Sequence, residues 1–181
     1  MRYTEFNKDK YFRVTNFGVL GSPIFQDKED YARFLFLILY LQSPTVLNNA
    51  NWYVQSFLKK GKFNVGPEIT ESILEERQVE LVSFYLETTG FSLIVKNLDD
   101  SILSVYMQRV LTGYARYFNS KYHRRGHLFE GPFQAAEIKR HDLKKATLEN
   151  HKKSYGSGYS SLIDYKNKEG RWGRLLTIVN T

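Results

Sequence analysis

Cysteine is absent from these 181 residues. Disulfides, thiolate metal centres and thiol nucleophiles are therefore excluded, and a reducing, cytoplasmic address is expected. Long apolar runs are missing too. The longest, Phe34 to Leu41, has eight residues, whereas a bilayer span needs roughly 20 helical residues. Met1-Arg2 leads into Glu5, Asn7, Lys8 and Asp9, so no secretory leader is expected at this end. Tryptophan occurs only twice, although 13 Tyr and 13 Phe raise the aromatic content to 15%. Acid is scarce in one stretch. Residues 109–153 carry eleven Lys/Arg against four Asp/Glu, an excess of seven that equals the formal charge of the whole chain, +7. A quarter of the sequence thus holds the entire basic excess, with aromatics interleaved, which is the footprint of a polyanion-binding surface.

The length and the 42% hydrophobic content suit one core of ordinary size. Residues 11–19 (YFRVTNFGV) predict a first strand, stopped by Gly21-Ser22-Pro23. Asp27 or Asp30 is placed to cap a helix to about residue 42, apolar nearly all round and so buried on more than one side. The more polar stretch 43–78 predicts an insertion of small helices, near Asn51 to Lys60 and Thr70 to Arg77. Residues 79–86 and 91–96 are β-rich and flank Glu87-Thr88-Thr89-Gly90, a hairpin signal. Asp99 or Asp100 is expected to cap a long helix whose core face is Ile102, Leu103, Tyr106, Met107, Val110, Leu111, Tyr114, Tyr117 and Phe118. A basic turn, Lys121 to His127, opens onto Phe129 to Phe133, read as a short strand. A strand near 132–138 and a helix over 141–152 follow. Residues 1–153 are expected to form one domain, and 154–181 a C-terminal extension ordered only in part. The order strand–helix–strand–strand–helix–strand points to an α+β, ferredoxin-like sandwich, with an antiparallel sheet and helices on one face.

Three stretches resemble the single-tyrosine HUH transposases of the REP-associated and insertion-sequence type. Arg13-Val14-Thr15-Asn16-Phe17-Gly18, then Pro23 to Phe34, is similar to the family's "xxxNRGxxxxxIFxDxxDYxxFL". Met107 to Asn119 with Arg124 to Gly131 is similar to "MQRLLTxYxRYFNxxxxRxGHLFQGRF", and Tyr159-Ser160-Ser161-Leu162 to a weaker "WSSY". The resemblance implies a known chemistry. A His-hydrophobic-His pair on a central strand holds a divalent metal such as Mg or Mn, because side chains at i and i+2 share a face. A tyrosine of the last helix then attacks single-stranded DNA beside a recognised hairpin and keeps the 5′-phosphate. Here both histidine positions fall on Gly90 and Ser92, the arginine of "NRG" is Phe17, and Glu149 stands at the tyrosine. No catalytic residue, metal ligand or cofactor is therefore assigned.

Four histidines (123, 127, 141, 151) invite a metal reading, but packing or phosphate contact is preferred for lack of a spaced carboxylate. Tyr155, Tyr159 and Tyr165 are read as packing anchors rather than replacement nucleophiles. The residues assigned to nucleic acid are Arg109, Arg116, Lys121, Tyr122, Arg124, Arg125, His127, Lys139 and Arg140. Tyr122 is the stacking candidate in the turn, and Tyr117 and Phe129 fit stacking or core equally. The expected protein is transposase-like, DNA-binding, dimeric and without cleavage activity. Alternatives are an active transposase with a rearranged site built from Glu87, Glu149 or His151, and a partner-binding or inhibitory subunit of an active relative.

Overall fold

In the computed structural model, residues 5–152, 159–167 and 172–179 are described. Strand β1 (Tyr11–Phe17) alternates strictly, with Phe12, Val14 and Asn16 turned inward. Helix α1 (Lys28–Tyr40) begins at a capping box. The Asp27 carboxylate accepts from the Glu29 and Asp30 amides, and Asp30 accepts in return from the Gln26 and Asp27 amides. Both expected caps are thus used. From Phe34 to Tyr40 every side chain is buried, as an all-apolar helix requires.

The 43–78 stretch supplies α2 (Ala50–Lys60) and α3 (Pro67–Glu75). These carry Tyr53, Phe57 and, between them, Phe63 onto Phe36 of α1 in an aromatic cluster. Strands β2 (Val79–Glu87) and β3 (Gly90–Asn97) form the expected hairpin, turning through Thr88-Thr89 alone. Val82 is an extra residue in the β2 register. This bulge keeps Leu81, Phe84 and Leu86 on the main core face and sends Val82 to the other.

Helix α4 (Ile102–Lys121) buries Leu103, Tyr106, Met107, Val110, Tyr114 and Phe118, the expected face. Its cap differs from expectation. Ser101 occupies the position with φ 60° and makes no side-chain cap bond. Asp100 accepts instead from the Lys8 amide, and Asp99 from the Asp100 amide. The strand expected over 129–133 reduces to one bridge, Phe129 opposite Gly18, before β4 (Gln134–Ile138) pairs with β1. The chain then makes α5 (Leu143–Lys152), the two-residue strand β5 (Tyr159–Ser160) and α6 (Leu162–Asn167).

The sheet order is β4-β1-β3-β2-β5, every neighbour antiparallel. Its first four strands have the ferredoxin-like order expected from the sequence. The crossover helices α1 and α4 cover one face. Helix α5 extends that expectation by packing Leu143 and Ala146 on Val82 and Ile94 of the opposite face. Among the described residues no helix is long and apolar enough to cross a membrane. Described residues of the expected extension also join the fold. Strand β5 extends the sheet beside β2, and Trp172, Leu175 and Leu176 are buried in the main core. Residues 153–158, including Tyr155, lie outside the described residues.

Candidate nucleic-acid interface

The face of the sheet beneath α5 carries the alternate residues of each strand. Arg13, Thr15 and Phe17 of β1 stand opposite Ile94, Ser92 and Gly90 of β3, which stand opposite Ser83, Tyr85 and Glu87 of β2. Gly90 is closed over by its neighbour. A Cβ built there would lie 2.5 Å from Phe17 Cδ1 and 2.9 Å from the Asn16 carbonyl oxygen. Ser92 is buried near Asn150 of α5, whose amide nitrogen donates to Ser83 Oγ at 3.0 Å and to the Ser92 carbonyl at 3.4 Å. Arg13 donates to the Ala146 carbonyl and pairs with Glu149 at 3.1 Å, holding α5 to β1. His151 leaves the opposite side of α5, with Nε2 2.9 Å from Ser161 Oγ and its ring edge-on to Tyr165. Burial holds its pKa down at about 4. Glu149 and His151 thus diverge, and no group of three or more His, Asp or Glu among the described residues could hold a metal ion. Tyr159 stacks on Tyr31, while the Tyr165 hydroxyl donates to the Val82 carbonyl and its pKa is pushed up to about 12 by burial.

Three residues assigned to nucleic acid are committed elsewhere. The Lys121 ammonium lies 2.7 Å from Asp27, 2.9 Å from the fully buried Asp30 and 3.2 Å from Glu29. Burial works against its charge, but the surrounding acceptors win and raise its pKa. The Tyr122 hydroxyl donates to Asp30 at 2.8 Å, and its ring packs 4.6 Å from Phe118. Burial, then the Asp30 carboxylate, pushes its pKa up to about 12. Arg109 donates to the Ser43 carbonyl at 2.7 Å and contacts that of Leu41 at 3.5 Å, tying α4 to the end of α1. Lys121, Tyr122 and Arg109 are therefore structural ties. Tyr117, bonded to Asp30, and Phe129, against Phe91 and Tyr114, belong to the core as well.

Arg116, Arg125 and His127 stay exposed, and Arg124 is half-buried with its guanidinium 5.6 Å over the Phe118 ring. The turn that presents them is anchored by the Asn119 side-chain amide on the Gly126 carbonyl, 3.0 Å, and by Gly126 at φ +92°. Between α4 and this turn runs an open cleft of about 720 Å³. Apolar Leu111, Ala115, Leu128, Phe129 and Pro132 line it together with Arg116, Asn119, His127 and the carboxylate of Glu130. An apolar surface beside a guanidinium is the combination that base stacking and phosphate contact require.

Lys139 and Arg140 are exposed but lie apart from this cleft. They follow Ile138, which pairs with Tyr11 at the start of β1, whereas Phe129 meets Gly18 just past its end. At ~3.3 Å per residue, about 20 Å separates the two positions. Lys8, Lys10 and Lys96 share the β4 end, where Lys10 and Lys96 are already paired with Glu137 and Asp9. The nine assigned residues thus form two cationic patches and a set of internal ties, not one continuous surface.

A REP-associated tyrosine transposase, solved bound to a REP hairpin, superposes on 93% of this chain and 85% of its own with a TM-score of 0.57. Identity over that match is 9%, so the likeness establishes the fold alone. No protein-family model and no curated protein matches the chain.

Proposed function

We propose that this chain is a transposase-like DNA-binding protein that grips hairpin or single-stranded DNA and no longer cuts it. The observation that carries the binding half is the partly apolar cleft beside α4. Exposed Arg116, Arg125 and His127 stand at or beside it, on a fold shared with a protein solved on a REP hairpin. The cleavage half is supported by Phe17 lying on Gly90 where the family resemblance calls for a metal-binding histidine. It is supported further by Glu149, paired with Arg13, where the resemblance calls for the tyrosine. Against the alternative of a rearranged site built from Glu87, Glu149 or His151 stand the pairing of Glu149 with Arg13 and the contact of His151 with Ser161.

Fluorescence anisotropy with a labelled DNA hairpin, repeated from roughly 50 to 200 mM salt, tests binding. Each phosphate neutralised steepens the fall of log K against log salt by about 0.9 on duplex and 0.7 on single strands. Reversing Arg116 and Arg125 to Glu should weaken binding at least ~10-fold and flatten that slope by about two contacts. An affinity indifferent to salt rules the reading out. With Mg²⁺ or Mn²⁺ present no denaturation-resistant protein–DNA adduct should form; an adduct on a gel would restore the active-transposase alternative.

A further inference from the structure

The turn after β1 presents an apolar side chain in an unusual way. Leu20 is 94% exposed, more than any other large apolar side chain among the described residues. It also sits in left-handed backbone, φ 51° and ψ 32°, where a leucine side chain crowds its own carbonyl. Among the described residues no packing offsets this cost. Yet the turn is held firmly. The Gly18 amide donates to the Thr89 carbonyl at 2.8 Å, Val19 to Leu128 at 3.1 Å, and Gly21 and Ser22 back to Gly18 and Val19 at 2.9 and 3.0 Å. Gly18 allows this tightness, because a Cβ there would sit 2.0 Å from the Ser22 carbonyl oxygen. Val19, next in the chain, lines the same cleft as Arg116 and His127. A firmly bonded turn therefore holds an exposed apolar tip one residue from the lining of the cleft that Arg116, His127 and Glu130 share.

We propose that Leu20 is a wedge that enters between stacked bases at the end of a DNA hairpin stem seated in the α4 cleft; the proposal rests on the DNA-binding reading above. Apolar side chains inserted at a base step partly unstack it at an energetic cost, and a side chain on a firmly bonded turn loses less freedom in doing so. Leu20 sits on such a turn. The charge at the cleft supplies attraction to phosphate, and Leu20 supplies discrimination between a stem end and a continuous strand.

The test uses the full chain and a hairpin carrying 2-aminopurine at the closing step of its stem, a base that brightens when unstacked. Wild type should bind and brighten it. Leu20→Asn, which tolerates left-handed backbone, should keep or raise the thermal midpoint, and Leu20→Gly serves as a second variant should Asn perturb the turn. Both should bind the hairpin about 10-fold more weakly with an unchanged salt slope, leave 2-aminopurine dark when saturated, and bind unstructured single strands as wild type does. Equal affinity and equal brightening in the variants would overturn the wedge while leaving DNA binding intact. Wild type failing to bind any oligonucleotide would overturn the wedge and the DNA-binding reading together.

Discussion

Gly90 and Phe17 are paired across β1 and β3, and each explains the other. The Phe17 ring lies where a side chain at position 90 would project. Gly90→Ala should therefore cost about 1–3 kcal/mol, the usual range for overpacking. Phe17→Ala in the same chain should recover part of that loss, because the ring is one of the two clashing groups and the Asn16 carbonyl the other. A double-mutant cycle by urea unfolding reads the coupling directly, and strictly additive losses would mean the ring is not what closes the site. His151 gives a second residue-scale outcome. Its pKa is about 4 in the fold against an ordinary 6.5, so the unfolded chain takes up the proton first. The contribution is complete above pH 6.5 and drains as pH falls towards 4. Between pH 7 and 5 the chain should lose roughly 2 kcal/mol, and His151→Gln should be nearly flat over that window. Sequence alone placed Gly90 and Ser92 at the positions where the resemblance needs ligands, because strand alternation carries over from one chain to another. It did not show that Phe17 fills the gap. The two departures from the family pattern are 73 residues apart in the chain, and only the β1–β3 register joins them.

At the scale of elements, the start of α1 is fastened to the end of α4 by a cation among three carboxylates. Asp30 is fully buried and accepts from the Gln26 and Asp27 amides, from Tyr117 and Tyr122, and from Lys121. Lys121→Met would leave this cluster without its ammonium. Losing one partner of a buried pair costs about 3–5 kcal/mol; Lys121 is 21% exposed, so about 2–4 kcal/mol is expected by denaturant titration. DNA affinity measured on the remaining folded protein, and its salt slope, should hardly change, because this ammonium faces the acids. A large loss of affinity without loss of stability would return Lys121 to the interface. Element types and the α4 core face were legible from periodicity, since burial of one face dominates their energetics. The function of the charges was not. A lysine in a basic turn looks the same in sequence whether it faces phosphate or an acidic helix start 91 residues upstream. The same blindness merged Lys139 and Arg140 with the cleft, because closeness in sequence hid the length of β4 lying between.

For the molecule as a whole, the described C-terminal residues, 159–167 and 172–179, pack into the fold. Trp172 is 6% exposed, its ring 5.7 Å from Phe57 and 5.8 Å from Phe63, so it completes the cluster that seats α2 and the segment after it on α1. The buried Gln42 binds three parts of the chain at once. Its amide donates to the Leu39 and Leu175 carbonyls, and its carbonyl accepts from the Leu81 amide, all at 2.8 Å. The Thr177 amide donates to the Leu81 carbonyl, and β5 occupies the free edge of β2. A chain ended at residue 158 would uncover that edge, leave Gln42 short of a partner and open a space of tryptophan size. Each of these carries a cost, and an uncovered strand edge also invites association. Trp172→Ala alone should lose about 3–5 kcal/mol in urea unfolding. The truncated chain should aggregate or unfold with a reduced m-value, because less surface is buried to begin with. Were residues 1–153, the domain expected from the sequence, able to fold without the extension, the truncation would melt cooperatively near the full-length midpoint. Retention of DNA binding in such a fragment would then place the whole interface outside the C-terminal segment. The packing of Trp172, Leu175 and Leu176 into the main core argues for the first outcome.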